Sequence, residues 1–133
     1  GYREVISSDI VDRGYGEVGV DFLNKDNPFV KRWSGHVNTI ITNPPYRFAQ
    51  EFIENSLKVA NKKVAMLLKL NFLEGQKRYR LFKKTPLKCV YVFSKRLSFD
   101  KGDEKGKGRG LLAYAWYVWD KEYIGKPYID WII

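Results

Sequence analysis

The four consecutive residues Asn43, Pro44, Pro45 and Tyr46 carry the clearest chemical signal in the sequence. Proline fixes its own φ and restricts the preceding residue to extended backbone, so Asn43 and Pro44 are expected to be extended and stiff. The Asn43 side-chain carbonyl and the Pro44 backbone carbonyl can then point at one spot, where two fixed acceptors suit an NH₂ donor. Tyr46 can stack on a planar group, a contact that contributes about 1–3 kcal/mol per nucleobase. The four residues are therefore predicted to hold an amino group attached to a flat ring or an amide.

The segments on either side of these residues are predicted to be a strand and a helix. Residues 37–42 form a β-branched run, and apolar residues recur at helical spacing over 47–61. In α/β sheets, ligands bind at the carboxyl ends of strands, where this turn would lie. The simpler alternative is a proline-rich connection with a surface tyrosine, since proline is common at helix starts. The functional interpretation is favoured, because this tetrapeptide arises by chance at on the order of one position in 10⁵–10⁶.

The Asn-Pro-Pro-Tyr turn resembles the catalytic motif of amino methyltransferases that use S-adenosylmethionine. The closest resemblance is to the phage-type DNA N6-adenine methyltransferases, and residues 5–16, 20–23 and 114–119 support it. It implies methyl transfer from S-adenosylmethionine to the exocyclic amine of a flipped adenine in DNA, without a metal. It also implies that the four residues of the turn are catalytic.

Cofactor-binding residues follow from the same resemblance. It implies that Asp9, with Ile10 beside it, holds the ribose of S-adenosylmethionine. It further implies that Asp21 accepts a hydrogen bond from the adenine amine of the cofactor and that Phe22 packs on that adenine. Without the resemblance, Asp9 is interpreted as a turn residue, and Asp21 as a strand-end aspartate beside a core phenylalanine.

The expected fold is α/β, a Rossmann-like methyltransferase sheet that is mostly parallel with an antiparallel C-terminal edge. Strands are predicted over 63–70, 89–94, 111–119 and 128–132, and a glycine-rich loop over 100–110. In the resembled family, the first strand and its glycine-rich loop hold the methionine end of the cofactor, and no such element precedes Arg3. We therefore expect residues 1–133 to be a single, partial domain without its first strand and helix. A longer parent chain or a second copy would complete the sheet.

A strongly basic segment predicts a nucleic-acid partner. The 133 residues carry a formal charge of +9 and the sequence pI is about 9.6. Between positions 77 and 96 there are eight basic residues and no acidic one. The predicted DNA-phosphate contacts are Lys77, Arg78, Arg80, Lys83 and Lys84. The simpler alternative is a solvated helix face.

Other residue types narrow the class of protein. Cys89 is the only cysteine, so neither a disulfide framework nor a cysteine-based metal site is expected. His36 has no partner at the spacing of a catalytic triad or a metal site, and no metal is expected. The longest apolar run, 111–119, is too short to span a membrane, and no signal peptide is evident, so a cytoplasmic location is expected. Phe72 is predicted either to line the pocket for the target base or to pack in the core.

Two alternative functions stay open at the level of sequence. An amino methyltransferase acting on RNA guanine or on a protein glutamine would present NH₂ to a similar turn, although the basic segment favours a nucleic acid. A catalytically inactive nucleic-acid-binding module would keep the basic segment, and the missing glycine-rich loop favours this second alternative.

Overall fold

A mixed five-stranded sheet is the framework of the described residues, which are 6–7, 20–97 and 112–133 of this computed structural model. The strands are β1 (Val37–Thr42), β2 (Ala60–Lys69), β3 (Leu87–Phe93), β4 (Tyr114–Asp120) and β5 (Tyr128–Ile132). The helices are α1 (Pro28–Trp33), α2 (Ala49–Val59) and α3 (Gln76–Lys84), and 3₁₀ turns cover Tyr46–Phe48 and Leu70–Leu73. The α/β class predicted from the sequence is confirmed. The sheet is compatible with a Rossmann-like fold but is not specific to it.

The strands lie in the order β1-β2-β4-β3-β5. Strand β1 is parallel to β2, and β3 is parallel to β5, whereas β4 runs antiparallel to both of its neighbours. The sequence predicted an antiparallel C-terminal edge; instead, the antiparallel strand is interior and the edge strand β5 is parallel to β3. Burial explains the difference, because β4 completely buries Ala115, Tyr117 and Trp119, whereas four of the five residues of β5 are exposed.

An aromatic layer joins β4 to the elements that follow β2. The ring of Phe82 stacks on Tyr117 and Trp119, with centroids 6.3 and 6.4 Å apart. Phe72 meets Phe82 and Tyr117 edge-on, at 5.9 and 5.8 Å. Such pairs stabilise a core beyond the area they bury. The layer fixes residues 70–73 and α3 against the sheet.

Hydrogen bonds also hold α3 in place. The indole N–H of Trp119 donates to Thr85 Oγ1 at 3.0 Å, and the Thr85 hydroxyl donates to the Leu81 carbonyl at 2.6 Å. At the other end of α3, Gly75 has φ of 115°, a conformation that favours glycine. The helix therefore begins with a sharp turn at Gly75, after the 3₁₀ turn Leu70–Leu73 that follows β2.

A second, smaller apolar cluster lies around α1. Val20, Val30 and Val59 are buried there. The side chain of Asn27 accepts a hydrogen bond from the Phe29 N–H at 2.9 Å and caps α1, with proline at the first helical position. Asp21 was predicted to lie at the end of a strand, but the described residues 20–23 contain a turn and no strand.

Two regions that the sequence analysis singled out lie outside the described residues. Asp9 and Ile10 lie outside the described residues, as does the predicted loop over 100–110. Within the described ranges, no helix has the length and apolar character needed to cross a membrane. Over the same ranges, no three side chains of His, Cys, Asp or Glu are grouped as a metal site would require.

Candidate functional site

The Asn-Pro-Pro-Tyr turn leaves the carboxyl end of β1 and leads directly into a helix, as the sequence predicted. Pro45 has extended backbone, with φ of −57° and ψ of 129°, and its carbonyl accepts a hydrogen bond from the Phe48 N–H at 3.0 Å. The single 3₁₀ turn closed by this bond passes into α2 at Ala49. Pro44 is buried, whereas Asn43 and Tyr46 are exposed, so both of these side chains are accessible to a ligand.

Two cations flank the ring of Tyr46. Lys69 Nζ, from the last residue of β2, lies 4.4 Å from the ring centroid. Arg78 Cζ, from the first turn of α3, lies 5.2 Å from the same centroid and 4.4 Å from the centroid of Phe72. These distances are within the range of cation–π interactions. The turn after β1, the end of β2 and the first turn of α3 therefore meet at Tyr46.

A cavity of about 370 Å³ opens beside this group, within the size range of small-ligand sites. It lies beyond the carboxyl ends of the parallel strands β1 and β2, where the sequence predicted a ligand. Its lining residues are Tyr46, Arg47, Gln50, Glu51, Phe72, Glu74, Gly75, Gln76, Lys77 and Arg78. Asn43 is exposed but does not line the cavity.

A second hollow, of about 250 Å³, continues from the first between α2 and α3. It is lined by Gln50, Glu51, Lys77, Arg80, Leu81 and Lys84. Three of these residues line both spaces, so the two form one trough that starts at Tyr46 and follows α3. Such a trough could hold an extended, negatively charged chain.

The predicted DNA-binding residues all lie on α3 but on different sides of it. Lys77, Arg80 and Lys84 are three and four positions apart and face α2 across the second hollow. Lys83 lies 5.8 Å from the ring centroid of Tyr79, and Arg78 turns towards Tyr46. The helix is therefore basic around most of its circumference.

Acidic residues of α2 face part of this basic surface, which a scan along the sequence could not reveal. Lys84 Nζ lies 3.9 Å from Glu54 Oε1, and Glu51 lines both hollows. Lys77, Arg80 and Lys83 are exposed and form no ion pair with any residue that the structure describes. Their charges are available to an anionic partner.

Tyr117 supports this site from within the sheet. Its single hydroxyl proton is shared by the carbonyls of Lys69 and Leu70, whose oxygens lie 2.8 and 3.1 Å from the hydroxyl oxygen, where β2 ends. Burial raises the pKa of Tyr117, the nearby Arg78 guanidinium partly opposes this rise, and Tyr46 adds to it. The phenol therefore remains a donor and fixes the backbone that positions Lys69.

The two described cofactor candidates have local partners. Asp21 is exposed, and its Oδ1 accepts a hydrogen bond from the Leu23 N–H at 3.0 Å. Phe22 is half-buried and its ring stacks on Phe52, with centroids 5.5 Å apart. Neither residue lines the cavity beside Tyr46, and their predicted cofactor role stays a prediction.

Sequence reasoning missed Lys69 and the way Arg78 is placed. A weak signal for Lys69 was present, because it is the first charged residue after a buried apolar run and ends a strand. Phe72 was predicted either to line the pocket for the target base or to pack in the core. It packs in the core, at 1% exposure, and also borders the cavity, whereas contact with a target base stays a prediction.

Comparison with known proteins adds no family assignment. No model of a protein family matches the sequence, and a search of curated proteins gave no significant match. An interpretation of the site therefore depends on the residues themselves and on the motif resemblance.

Proposed function

We propose that the chain is a DNA adenine N6-methyltransferase, or the large part of one, that uses S-adenosylmethionine. The observation that carries the proposal is the position of the Asn-Pro-Pro-Tyr turn. It lies at the carboxyl end of a parallel strand, and its tyrosine borders a cavity next to a basic helix. A turn with fixed acceptors beside a basic helix would suit an amine carried on a nucleic acid, and this supports the proposal.

In the proposed mechanism, the turn holds the target amine. Asn43 Oδ1 and the Pro44 carbonyl oxygen would accept the two hydrogens of the exocyclic NH₂. As positive charge develops on that nitrogen, both acceptors stabilise it more strongly than in the ground state. Tyr46 would stack on the base and fix its orientation, and this positioning lowers the barrier further. The adenine must first leave the duplex, which costs a few kcal/mol.

The surroundings of Asp21 and Phe22 are compatible with the cofactor contacts proposed for them. Only one Asp21 oxygen accepts a hydrogen bond among the described residues, and the carboxylate is exposed, so it fits an adenine amine. Phe22 would pack on that adenine with the ring surface that Phe52 leaves free. When bound, S-adenosylmethionine supplies an electrophilic methyl group. The predicted ribose contacts, Asp9 and Ile10, belong to the same proposal.

The basic helix supports a nucleic acid as the substrate. Lys77, Arg80 and Lys83 are exposed cations suited to phosphates, and Tyr79 is 62% exposed beside them. A protein glutamine gains nothing from this surface, so an amide substrate is disfavoured. An RNA guanine amine would use the same groups and is the closest alternative among enzymes.

A second candidate function is a nucleic-acid-binding module without catalysis. The observation that favours it is that Asp21 and Phe22 already have local partners and lie away from the cavity that Tyr46 borders. Such a module would retain the trough along α3 and would not transfer a methyl group.

One experiment separates these functions. The chain is incubated with DNA and S-adenosylmethionine, and N6-methyladenine is quantified by mass spectrometry of the digested DNA. We expect methylation that Asn43→Ala reduces at least about 10²-fold, with DNA affinity nearly unchanged. Asn38→Ala, an exposed asparagine on β1, is the matched control and should retain activity. Absence of methylation, together with no binding of millimolar-range cofactor by calorimetry, would favour the binding module.

A further inference from the structure

The guanidinium of Arg78 lies over two aromatic rings. Its Cζ is 4.4 Å from the ring centroid of Phe72 and 5.2 Å from that of Tyr46. Phe72 borders the cavity and yet is only 1% exposed, whereas Tyr46 is 41% exposed. Arg78 therefore contacts Phe72 where that residue borders the cavity.

The position that Arg78 occupies suits a nucleobase. A guanidinium is planar and stacks on aromatic rings, and a base stacks on the same rings in the same manner. Phe72 is fixed from behind by edge-on contacts with Phe82 and Tyr117, so it is a rigid wall. Tyr46 is the other ring that Arg78 contacts, and it is the residue expected to stack on the target base.

The contacts that hold Arg78 in this position are weak. Arg78 forms no ion pair with any residue in the described ranges. Lys69 brings a second cation to the same tyrosine ring, at 4.4 Å, so two like charges share one aromatic partner. A charge-assisted hydrogen bond to phosphate is stronger than a cation–π contact of this kind. A phosphate arriving along α3 could therefore draw Arg78 away.

We propose that Arg78 occupies a nucleobase slot between Tyr46 and Phe72 and leaves it when a phosphate of the bound strand engages its guanidinium. The proposal rests on the proposed function, because it assigns the entry route of the base to the same turn. It makes base entry depend on phosphate binding. A polynucleotide opens the slot for one of its own bases, whereas a free nucleoside must displace Arg78 without help.

The test uses two fluorescent probes whose emission is quenched on stacking. One is the uncharged riboside of 2-aminopurine, and the other is a single-stranded DNA oligonucleotide with one central 2-aminopurine. Wild type, Arg78→Ala, Tyr46→Ala and the double variant are titrated with each probe, without S-adenosylmethionine. Arg32→Ala is the matched control, because this arginine lies 5.1 Å from the ring centroid of Trp33 on α1, away from the trough.

We expect Arg78→Ala to bind the riboside about 2- to 30-fold more tightly than wild type, because the base no longer competes with the cation–π contacts of Arg78 to Tyr46 and Phe72. The double variant should lose this gain, because the base then lacks the Tyr46 wall. Oligonucleotide binding should weaken in Arg78→Ala, and Arg32→Ala should match wild type with both probes. Weaker riboside binding by Arg78→Ala would overturn the proposal, because Arg78 would then be holding the base directly.

A second variant at position 78 tests the slot if Arg78→Ala does not fold. If Arg78→Ala loses its native circular dichroism, Arg78→Met retains the apolar stem over Phe72 and removes the planar cation. The same tightening for the riboside is expected, and unchanged riboside affinity in a folded variant would overturn the proposal. Because no methyl transfer is measured, the slot can hold while the proposed enzyme fails, and methylation can be observed while the slot fails.

Discussion

Tyr117 in the interior strand β4 donates its hydroxyl to the carbonyl of Lys69 at 2.8 Å, and this bond ties the centre of the sheet to the end of β2. The same hydroxyl is within 3.1 Å of the Leu70 carbonyl. Lys69 is also the residue whose ammonium group lies over Tyr46. The backbone of the candidate site is thus fixed by a fully buried side chain.

Replacing Tyr117 with phenylalanine should therefore destabilise the fold. The substitution removes the one proton that the Lys69 and Leu70 carbonyls share, and we expect the free energy of unfolding to fall by about 1–3 kcal/mol in urea titrations. Tyr79→Phe removes the hydroxyl of an exposed tyrosine and should stay within about 0.5 kcal/mol of wild type. Equal losses in both variants would contradict the role assigned to Tyr117.

Replacing Ser56 with alanine should instead stabilise the fold. Its Oγ is fully buried in α2 and has no hydrogen-bond partner among the residues that the structure describes. Ser56→Ala removes an unsatisfied hydroxyl and places a stronger helix former in the helix, so the free energy of unfolding should rise by about 1 kcal/mol. Ser94→Ala should lower it, because that hydroxyl donates to the Ile132 carbonyl at 2.6 Å. A destabilised Ser56→Ala would mean that a buried water satisfies this hydroxyl.

Stability should decline at alkaline pH through Tyr91. A side-chain hydrogen bond to Tyr128, and then burial, raises the pKa of Tyr91 from 10.0 to about 12. Because the folded state holds this proton more tightly, the stabilising effect is complete below pH 10 and is lost as the pH rises through about 12. Tyr91→Phe should show a smaller fall in unfolding free energy between these two values than wild type. Tyr79→Phe is the control, and the same alkaline fall in Tyr91→Phe as in wild type would contradict the assignment.

Salt dependence should identify which cations contact phosphate. Arg80→Gln removes an exposed cation of the trough and should reduce the slope of log affinity for DNA against log salt concentration by about 1. Lys88→Gln should leave the slope unchanged, because Lys88 Nζ lies 3.7 Å from Asp120 Oδ2. Fluorescence anisotropy with one labelled duplex at several salt concentrations measures both. A slope that Arg80→Gln does not alter would place the DNA elsewhere.

The Asn-Pro-Pro-Tyr turn was predictable because its signals are local. Proline restricts its own backbone and that of its neighbour, and the strand before and the helix after have clear periodicity. The interior position of β4 was not predictable in this way, since the order of strands depends on which edges meet in space. The grouping of Tyr46, Phe72 and Arg78 is likewise a product of three separate segments. The acidic partner of Lys84 comes from α2, so counting charges along residues 77–96 could not identify it.

The strand order has a consequence for how the polypeptide is made. Translation delivers β2 and β3 before β4, yet these two strands never pair with each other, because β4 lies between them. Until residues 114–120 emerge from the ribosome, the facing edges of β2 and β3 both lack a partner. Unpaired edges are prone to association with other chains. Completion of the sheet is therefore a late event during synthesis, and a nascent chain that stalls before residue 114 would expose both edges.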